Sequence, residues 1–366
     1  MTTPRLSWWS PEMAGTELPL VKAVLESNYL NDGEVTLEFE QRIARLAGAK
    51  HGIAVTSGTA AIYLSLVALG VGHGDEVIIP DITFIATANA ASMAGATVTL
   101  VDAELETLNM SVSALEGAIT SRTKAVVPVH VSGRGADMEN ILRVCAQRGL
   151  AVVEDAAEAL CSKHKGRGLG TFGRTGCFSF SPNKTITTGQ GGVILTDEDP
   201  LAQRLRQLKD QGRPVRGTGG DDEHPDLGFN FKLTNLQAAV GLGQLEELST
   251  RLERIRKTYQ IYRDELADVA GIRILPFDIE NGEQPQWVDA IATRRDELDA
   301  FLARNGADCR RFWFPLHTQK PYLRSDHEFP NSTRLSKRAL WLPSAFQMRD
   351  EDAMRVCGLI RKFYSA

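Results

Sequence analysis

From about residue 50 the chain alternates short apolar runs with amphipathic stretches. Gly52–Val55 predicts a strand and Thr56-Ser57-Gly58 a turn. Thr59–Leu69 predicts a helix with Ile62, Leu66 and Leu69 on one face, ended by Gly70, Gly72 and Gly74. Glu76–Ile79 is a second strand stopped by Pro80, and Phe84–Ala94 an Ala-rich helix ended by Gly95. Thr97–Val101, Lys124–His130 and Ala151–Glu154 are further strands, separated by helices over Ser113–Ile119 and Met138–Arg148. These strands are near-continuous Val/Ile runs, as expected where helices cover both faces of a mostly parallel sheet. Cys177–Phe180 and Gly192–Thr196 follow with a short connection, which predicts a local antiparallel or edge arrangement.

Leu201–Leu208 and Leu236–Leu248 read as helices, with a Gly-rich loop at Gly217–Asp222 between them that is expected to be mobile. The charged stretch Thr250–Leu266 reads as a connecting helix into a second, smaller α+β domain. That domain holds Ile272–Leu275, Trp287–Ala292 and helices over Asp296–Asn305 and Asp350–Tyr364. The expected division is a large domain over residues 1–248, N-terminal segment included, and a small one over 249–366.

Length and composition agree with this. The chain has 366 residues with 43% hydrophobic and 24% charged, which excludes a disordered or fibrous protein. Forty-one basic against 46 acidic side chains give a net charge of −5, without the cationic field that non-specific nucleic-acid binding requires. No apolar run approaches the ~20 residues that cross a bilayer, and Met1–Ser10 carries no apolar secretory core. The five cysteines are scattered, without disulfide-framework or metal-ligand spacing, so a reduced, cytoplasmic protein without a bound metal is expected.

Gly168-Leu-Gly170-Thr-Phe-Gly173 satisfies a dinucleotide-binding pattern on paper. It lacks the strand before and the helix after that the mechanism needs, so a glycine-rich loop is the better account. Thr56-Ser57-Gly58-Thr59-Ala60 is stronger: a strand, small hydroxyl residues and a glycine, then a helix, offer free N–H groups to an anion. Ordinary N-capping by Ser57 or Thr59 is the simpler account of this stretch taken alone. Asp155 sits at the end of an apolar strand, the side on which open α/β sheets place ligands. There it could hold a protonated ring nitrogen, or Asp155-x-x-Glu158 could be a capping box. Lys184 follows an aromatic strand in a Ser-Pro-Asn turn beside a Gly/Thr-rich run, as a carbonyl-attacking lysine would or as a plain hairpin turn would. Together the three match what pyridoxal phosphate needs: a phosphate cup, a partner for its pyridinium nitrogen, and a Schiff-base lysine.

From about Asn31 onward the sequence resembles the DegT-type sugar aminotransferases, within the aspartate-aminotransferase fold (fold type I) of pyridoxal-phosphate enzymes. The resemblance is densest in Ser57–Ala61, Gly74–Pro80, Glu154–Ala159, Ser179–Lys184, Thr188–Gly192 and Gly228–Ala239. It implies an α/β large domain with a mostly parallel sheet, and a homodimer with shared active sites. It implies that Lys184 carries the cofactor and shuttles protons, Asp155 pairs with the pyridinium nitrogen, Glu158 approaches the ring hydroxyl and Phe84 stacks on the ring. Gly58, Thr59 and Ser179 would hold the phosphate, and Asn230 a phosphate in the neighbouring subunit. His317, Lys232, Arg310 and Arg311 would lie on the substrate side, although adjacent arginines are more often one solvated and one paired.

Three residues depart from the family's commoner choices: Ser132 in place of a tyrosine, Gln190 of a glutamate and Lys232 of an arginine. The implied reaction moves an amino group from L-glutamate to a keto sugar, in the first instance a nucleotide-linked 4-keto-6-deoxyhexose, by a ping-pong mechanism. A 3-keto sugar aminotransferase, a related dehydratase (which carries histidine for the lysine) and a non-catalytic regulator on the same fold are the alternatives.

Overall fold

The computed structural model describes residues 5–214 and 223–365; the loop expected at Gly217–Asp222 lies outside them. Helices α1 (Glu17–Ser27) and α2 (Glu34–Ala47) come first. Then follow β1 (His51–Val55), α3 (Gly58–Ala68), β2 (Glu76–Pro80), α4 (Ala86–Met93), β3 (Thr97–Val101) and α5 (Val112–Ala118). β4 (Thr123–Val126), α6 (Met138–Arg148) and β5 (Ala151–Asp155) lead to a two-stranded hairpin, β6 (Lys163–His164) and β7 (Arg167–Gly168). β8 (Thr175–Ser179), β9 (Gly192–Thr196), α7 (Asp199–Lys209), α8 (Asn235–Glu246) and the long α9 (Leu248–Glu265) come next. The C-terminal part holds β10 (Ile272–Ile274), β11 (Val288–Ala292), α10 (Arg295–Arg304), β12 (Arg310–Arg311), α11 (Pro330–Ser336), β13 (Ala339–Leu342) and α12 (Asp350–Ser365).

Seven strands form the central sheet in the order β1-β9-β8-β5-β4-β2-β3. Its strands are parallel except β9, which runs antiparallel between β1 and β8. The period-2 alternation of side chains splits each Val/Ile run between two covers. Val77, Ile79 and Val153 pack with α3 residues such as Leu64 and Leu66, while Ile78, Val126 and Val152 pack with Leu115 of α5 and Ile141 of α6. Four antiparallel strands, β10-β11-β13-β12, make the smaller C-terminal sheet. Residues 5–9, grouped with the large domain in the sequence reading, lie instead against this part: Leu6 bridges Ala307, and the Ser344 N–H donates to the Trp8 carbonyl. Among the described residues no helix is long and apolar enough to cross a membrane.

Several boundaries move for local reasons. The strand expected to reach His130 ends at Val126, because Pro128 has no N–H for the ladder. The helix expected from Phe84 begins at Ala86, since residues 81–85 turn across the strand ends. The capping box at Asp155 and Glu158 does not form, and no helix starts there. Asp155 Oδ1 accepts instead from the Ala157 N–H at 3.1 Å.

The glycine-rich loop at 168–173 binds an anion after all, one belonging to the chain itself. Glu154, with no exposed surface, accepts from the N–H groups of Gly170, Phe172 and Gly173 at 2.9, 2.6 and 2.6 Å. His130 Nε2 lies 2.9 Å from the same carboxylate; its Nδ1 accepts from the Ala136 N–H, so Nε2 is the donor. Glu154→Ala would leave these buried donors unpaired. Chemical denaturation should show a loss of about 3 kcal/mol or more; a loss under about 1 kcal/mol would mean that water replaces the carboxylate without penalty.

Candidate active site

The parallel strands β1, β2, β5 and β8 end on the same side of the sheet, and their C-terminal residues bring the site together. Gly58, Thr59, Phe84, Asp155, Glu158, Ser179, Lys184 and Arg310 all line one cavity of about 350 Å³. Gln190, noted as a departure in the sequence, lines it too.

At one end is the start of α3. Ser57 caps that helix by accepting the Ala60 N–H at 3.1 Å, so the capping reading holds. It does not compete with an anion, because the Gly58 and Thr59 amides point beyond the helix end, where the helix dipole favours negative charge. A Cβ on Gly58 would sit 2.9 Å from Ser179 Cβ, so glycine keeps the mouth of this cup open.

In the middle are the charges. Lys184 Nζ lies 3.2 Å from Glu158 Oε1 and 5.0 Å from the ring centre of Trp287. Glu158 Oε2 accepts from the Ser132 N–H at 2.9 Å. Asp155 Oδ2 accepts from the Thr87 hydroxyl at 2.7 Å. Burial pushes the Asp155 carboxyl above its ordinary value, opposed by Thr87, the Ala157 N–H and the charge of Lys184. Burial likewise raises Glu158; Lys184 and Ser132 oppose it, and the charge of Asp155 adds to it.

The far wall is aromatic. All five tryptophans of the chain join one cluster: Trp8 meets Trp9, Trp287 and Trp341, Trp287 meets Trp9 and Trp341, and Trp313 sits edge-on to Trp341. Arg310 faces the rings of Trp8 and Trp341 at 4.9 and 5.5 Å, and no carboxylate among the described residues pairs with it. Arg311 points the other way, to Asp299 and Asp296, as alternation along β12 requires.

Other expected residues lie elsewhere. His317, expected on the substrate side, is fully buried. Its Nδ1 is 2.6 Å from Asp81 Oδ2, its Nε2 is 3.2 Å from Asp326 Oδ1, and its ring stacks on Phe329. It ties the segment before Phe84 to the segment after Trp313 and does not line the cavity. Lys232 is paired with Asp210, also away from the cavity. Asn230 is exposed and outside it, in a backbone bridge to Asp210.

Sequence reasoning passed over Thr83, Thr87, Trp287, Trp313 and Trp341, all of which line the cavity. The Phe84-x-x-Thr87 spacing at a helix start was a usable signal for the threonine. Nothing local marked the tryptophans.

A phosphate cup at a helix N-terminus, a buried carboxylate and a sheltered lysine in one cavity fit pyridoxal phosphate. With the α/β fold they define a pyridoxal phosphate-dependent aminotransferase. A model of the DegT/DnrJ/EryC1/StrS aminotransferase family matches residues 11–361, and the chain belongs to that family. GDP-perosamine synthase of Escherichia coli O157:H7 is 36% identical over 362 residues, 98% of each chain. GDP-perosamine synthase of Caulobacter vibrioides is 38% identical over 327 residues, 87% of each. Among solved structures, DesV of S. venezuelae in complex with a ketimine intermediate has a TM-score of 0.93 at 30% identity and covers 100% of both chains. DesI in the presence of its TDP-sugar product has a TM-score of 0.91 at 30% identity, over 100% of this chain and 94% of the other.

Gly58→Val should push Ser179 aside and narrow the cup. Absorbance titration of the apoprotein should show pyridoxal phosphate binding weakened about tenfold, equivalent to about 1.4 kcal/mol. Unchanged binding would show that the phosphate sits elsewhere.

Proposed function

We propose that the enzyme transfers the amino group of L-glutamate to a nucleotide-linked keto sugar, a 4-keto-6-deoxyhexose in the first instance, by a ping-pong mechanism. The observation that carries this reading is the shared cavity of Lys184, Asp155 and Arg310. The names of the relatives, GDP-perosamine synthase and a protein solved with its TDP-sugar product, support the substrate class.

Bound in the cavity, pyridoxal phosphate supplies an electron sink and carries the amino group between the half-reactions. The chain's residues do the rest. The α3 amides, Thr59 and Ser179 would hold the phosphate, and Phe84 would lie against the ring. Asp155 would hold the proton on the ring nitrogen by its negative charge, and Glu158 would meet the ring hydroxyl. Lys184 Nζ leaves Glu158 and moves the proton at the substrate carbon, as base in one direction and acid in the other. Arg310, backed by Trp8 and Trp341, receives a substrate anion, the sugar diphosphate or the donor carboxylate. Burial favours the neutral form of Arg310 and the charge of Glu158 opposes it, so an anion arriving from the cavity completes its surroundings.

The same reading takes the protein to be a cytoplasmic homodimer. Its five cysteines are unpaired, as in a reducing compartment. Phe314 is a large exposed apolar side chain, and Asn230 is exposed, as a residue reaching a neighbour's phosphate site would be.

Visible absorbance of the cofactor-loaded protein should fall on adding L-glutamate and return on adding the keto-sugar nucleotide. Indifference to every amino donor would favour the regulatory alternative. Lys184→Ala should lower transamination by about a thousandfold or more while the protein stays folded; an active variant would sink the mechanism. Arg310→Gln should raise KM about tenfold or more for whichever substrate supplies the anion. No change in either KM would leave Arg310 a packing residue.

A further inference from the structure

Asp155 is held in place by a chain of hydroxyls. Thr83, in the turn before α4, and Thr87, in the first turn of α4, are four residues apart, and both line the cavity although they are almost wholly buried. Thr83 Oγ1 lies 2.9 Å from Thr87 Oγ1. Thr87 Oγ1 lies 2.7 Å from Asp155 Oδ2 and 3.2 Å from the Phe84 carbonyl oxygen. A hydroxyl has one proton to give, and a carboxylate at the shorter distance is the stronger acceptor. Thr87 therefore donates to Asp155, and Thr83, left as the donor, points its proton at Thr87. Asp155 Oδ1 is fixed independently by the Ala157 N–H. Ile62 and Val129 line the same cavity, so a valine at position 87 would suit its apolar side; the hydroxyl is there for the carboxylate.

We propose that Thr87 is a positioning residue for the reaction: it orients Asp155 toward the cofactor's ring nitrogen and favours its charged form, with Thr83 setting the direction of the Thr87 hydroxyl. The inference rests on the reading that Asp155 faces that nitrogen. The charged and titratable groups around Asp155 are Lys184 after β8, His130 after β4, Glu158 after β5 and Cys177 on β8. None of them replaces the Thr87 hydrogen bond, since Lys184 is engaged with Glu158, and His130 Nε2 with Glu154. Burial raises the carboxyl and Thr87 is the leading opposing influence. Without that donor Asp155 takes up a proton at a higher pH, and affinity for a ligand with a protonated ring nitrogen fails sooner on acidification.

The test is equilibrium binding of pyridoxal phosphate to the apoprotein, read by quenching of tryptophan fluorescence, since Trp287 lies 5.0 Å from Lys184. Wild type, Thr87→Val, Thr87→Ser, Thr83→Val and Asp155→Asn are compared from pH about 5 to about 9. Thr87→Val should weaken binding about tenfold or more, and its acid limb should move to higher pH. Thr87→Ser, which keeps the hydroxyl, should stay within about twofold of wild type with the wild-type pH profile. Thr83→Val should fall between, at about threefold. If Asp155→Asn weakens binding and changes its pH profile while Thr87→Val does neither, the proposal is overturned and the reading of Asp155 stands. If Asp155→Asn has no effect, that reading falls as well. Should Thr87→Val not fold, Thr83→Val decides, because an unchanged pH profile there overturns the relay.

Discussion

Two adjacent carboxylates are buried at the end of β5, and the site depends on how each is satisfied. A strand sends consecutive side chains to opposite faces, so Glu154 and Asp155 cannot share partners. Glu154 turns to the face covered by the loop at 168–173 and draws three backbone N–H groups and His130 around itself. Asp155 turns into the cavity and receives a threonine hydroxyl and one N–H. A buried carboxylate with three or four donors is a structural anchor; one with two keeps lone pairs for a ligand. The same dipeptide thus fixes the loop under the sheet and equips the cavity above it.

The second set of constraints comes from the C-terminal sheet. Ser132, buried with a positive φ of 54°, gives its N–H to Glu158 and its hydroxyl to Asp289 on β11, and accepts from the Trp341 indole on β13. Asp289 is in turn paired with Arg134. Glu158, and through it Lys184, is therefore located by the join between the two sheets. The small side chain of Ser132 lets the Trp341 indole and Asp289 reach the same hydroxyl.

How much of this was legible followed the range of each interaction. The sheet was readable because β-runs with both faces covered are continuous in sequence, and Met138–Arg148 and Gly192–Thr196 emerged with the expected bounds. Asp155 and Gly58 were readable as cavity residues because one ends a strand and the other starts a helix, and Lys184 because it follows β8 in a Ser-Pro-Asn turn. The tryptophan wall was not, because Trp8, Trp287, Trp313 and Trp341 meet only through tertiary packing. His317 was placed on the substrate side by resemblance, whereas the ring is held between Asp81 and Asp326. The pattern marks such a residue as important without saying whether it touches the ligand or the residues that do.

The polar groups left facing the cavity describe the ligand better than any single residue does. At one end are helix amides and hydroxyls that want an anion. In the middle Asp155, held by neutral donors, wants a cation. On the far wall is Arg310, a cation whose neighbours are aromatic faces instead of carboxylates. Between Phe84 and the tryptophans the walls are flat and apolar. Reading across gives anion, cationic ring, then a second anion. It is what a phosphorylated heteroaromatic cofactor presents together with an anionic second substrate. Lys184 lines the same cavity, its ammonium 3.2 Å from Glu158 Oε1.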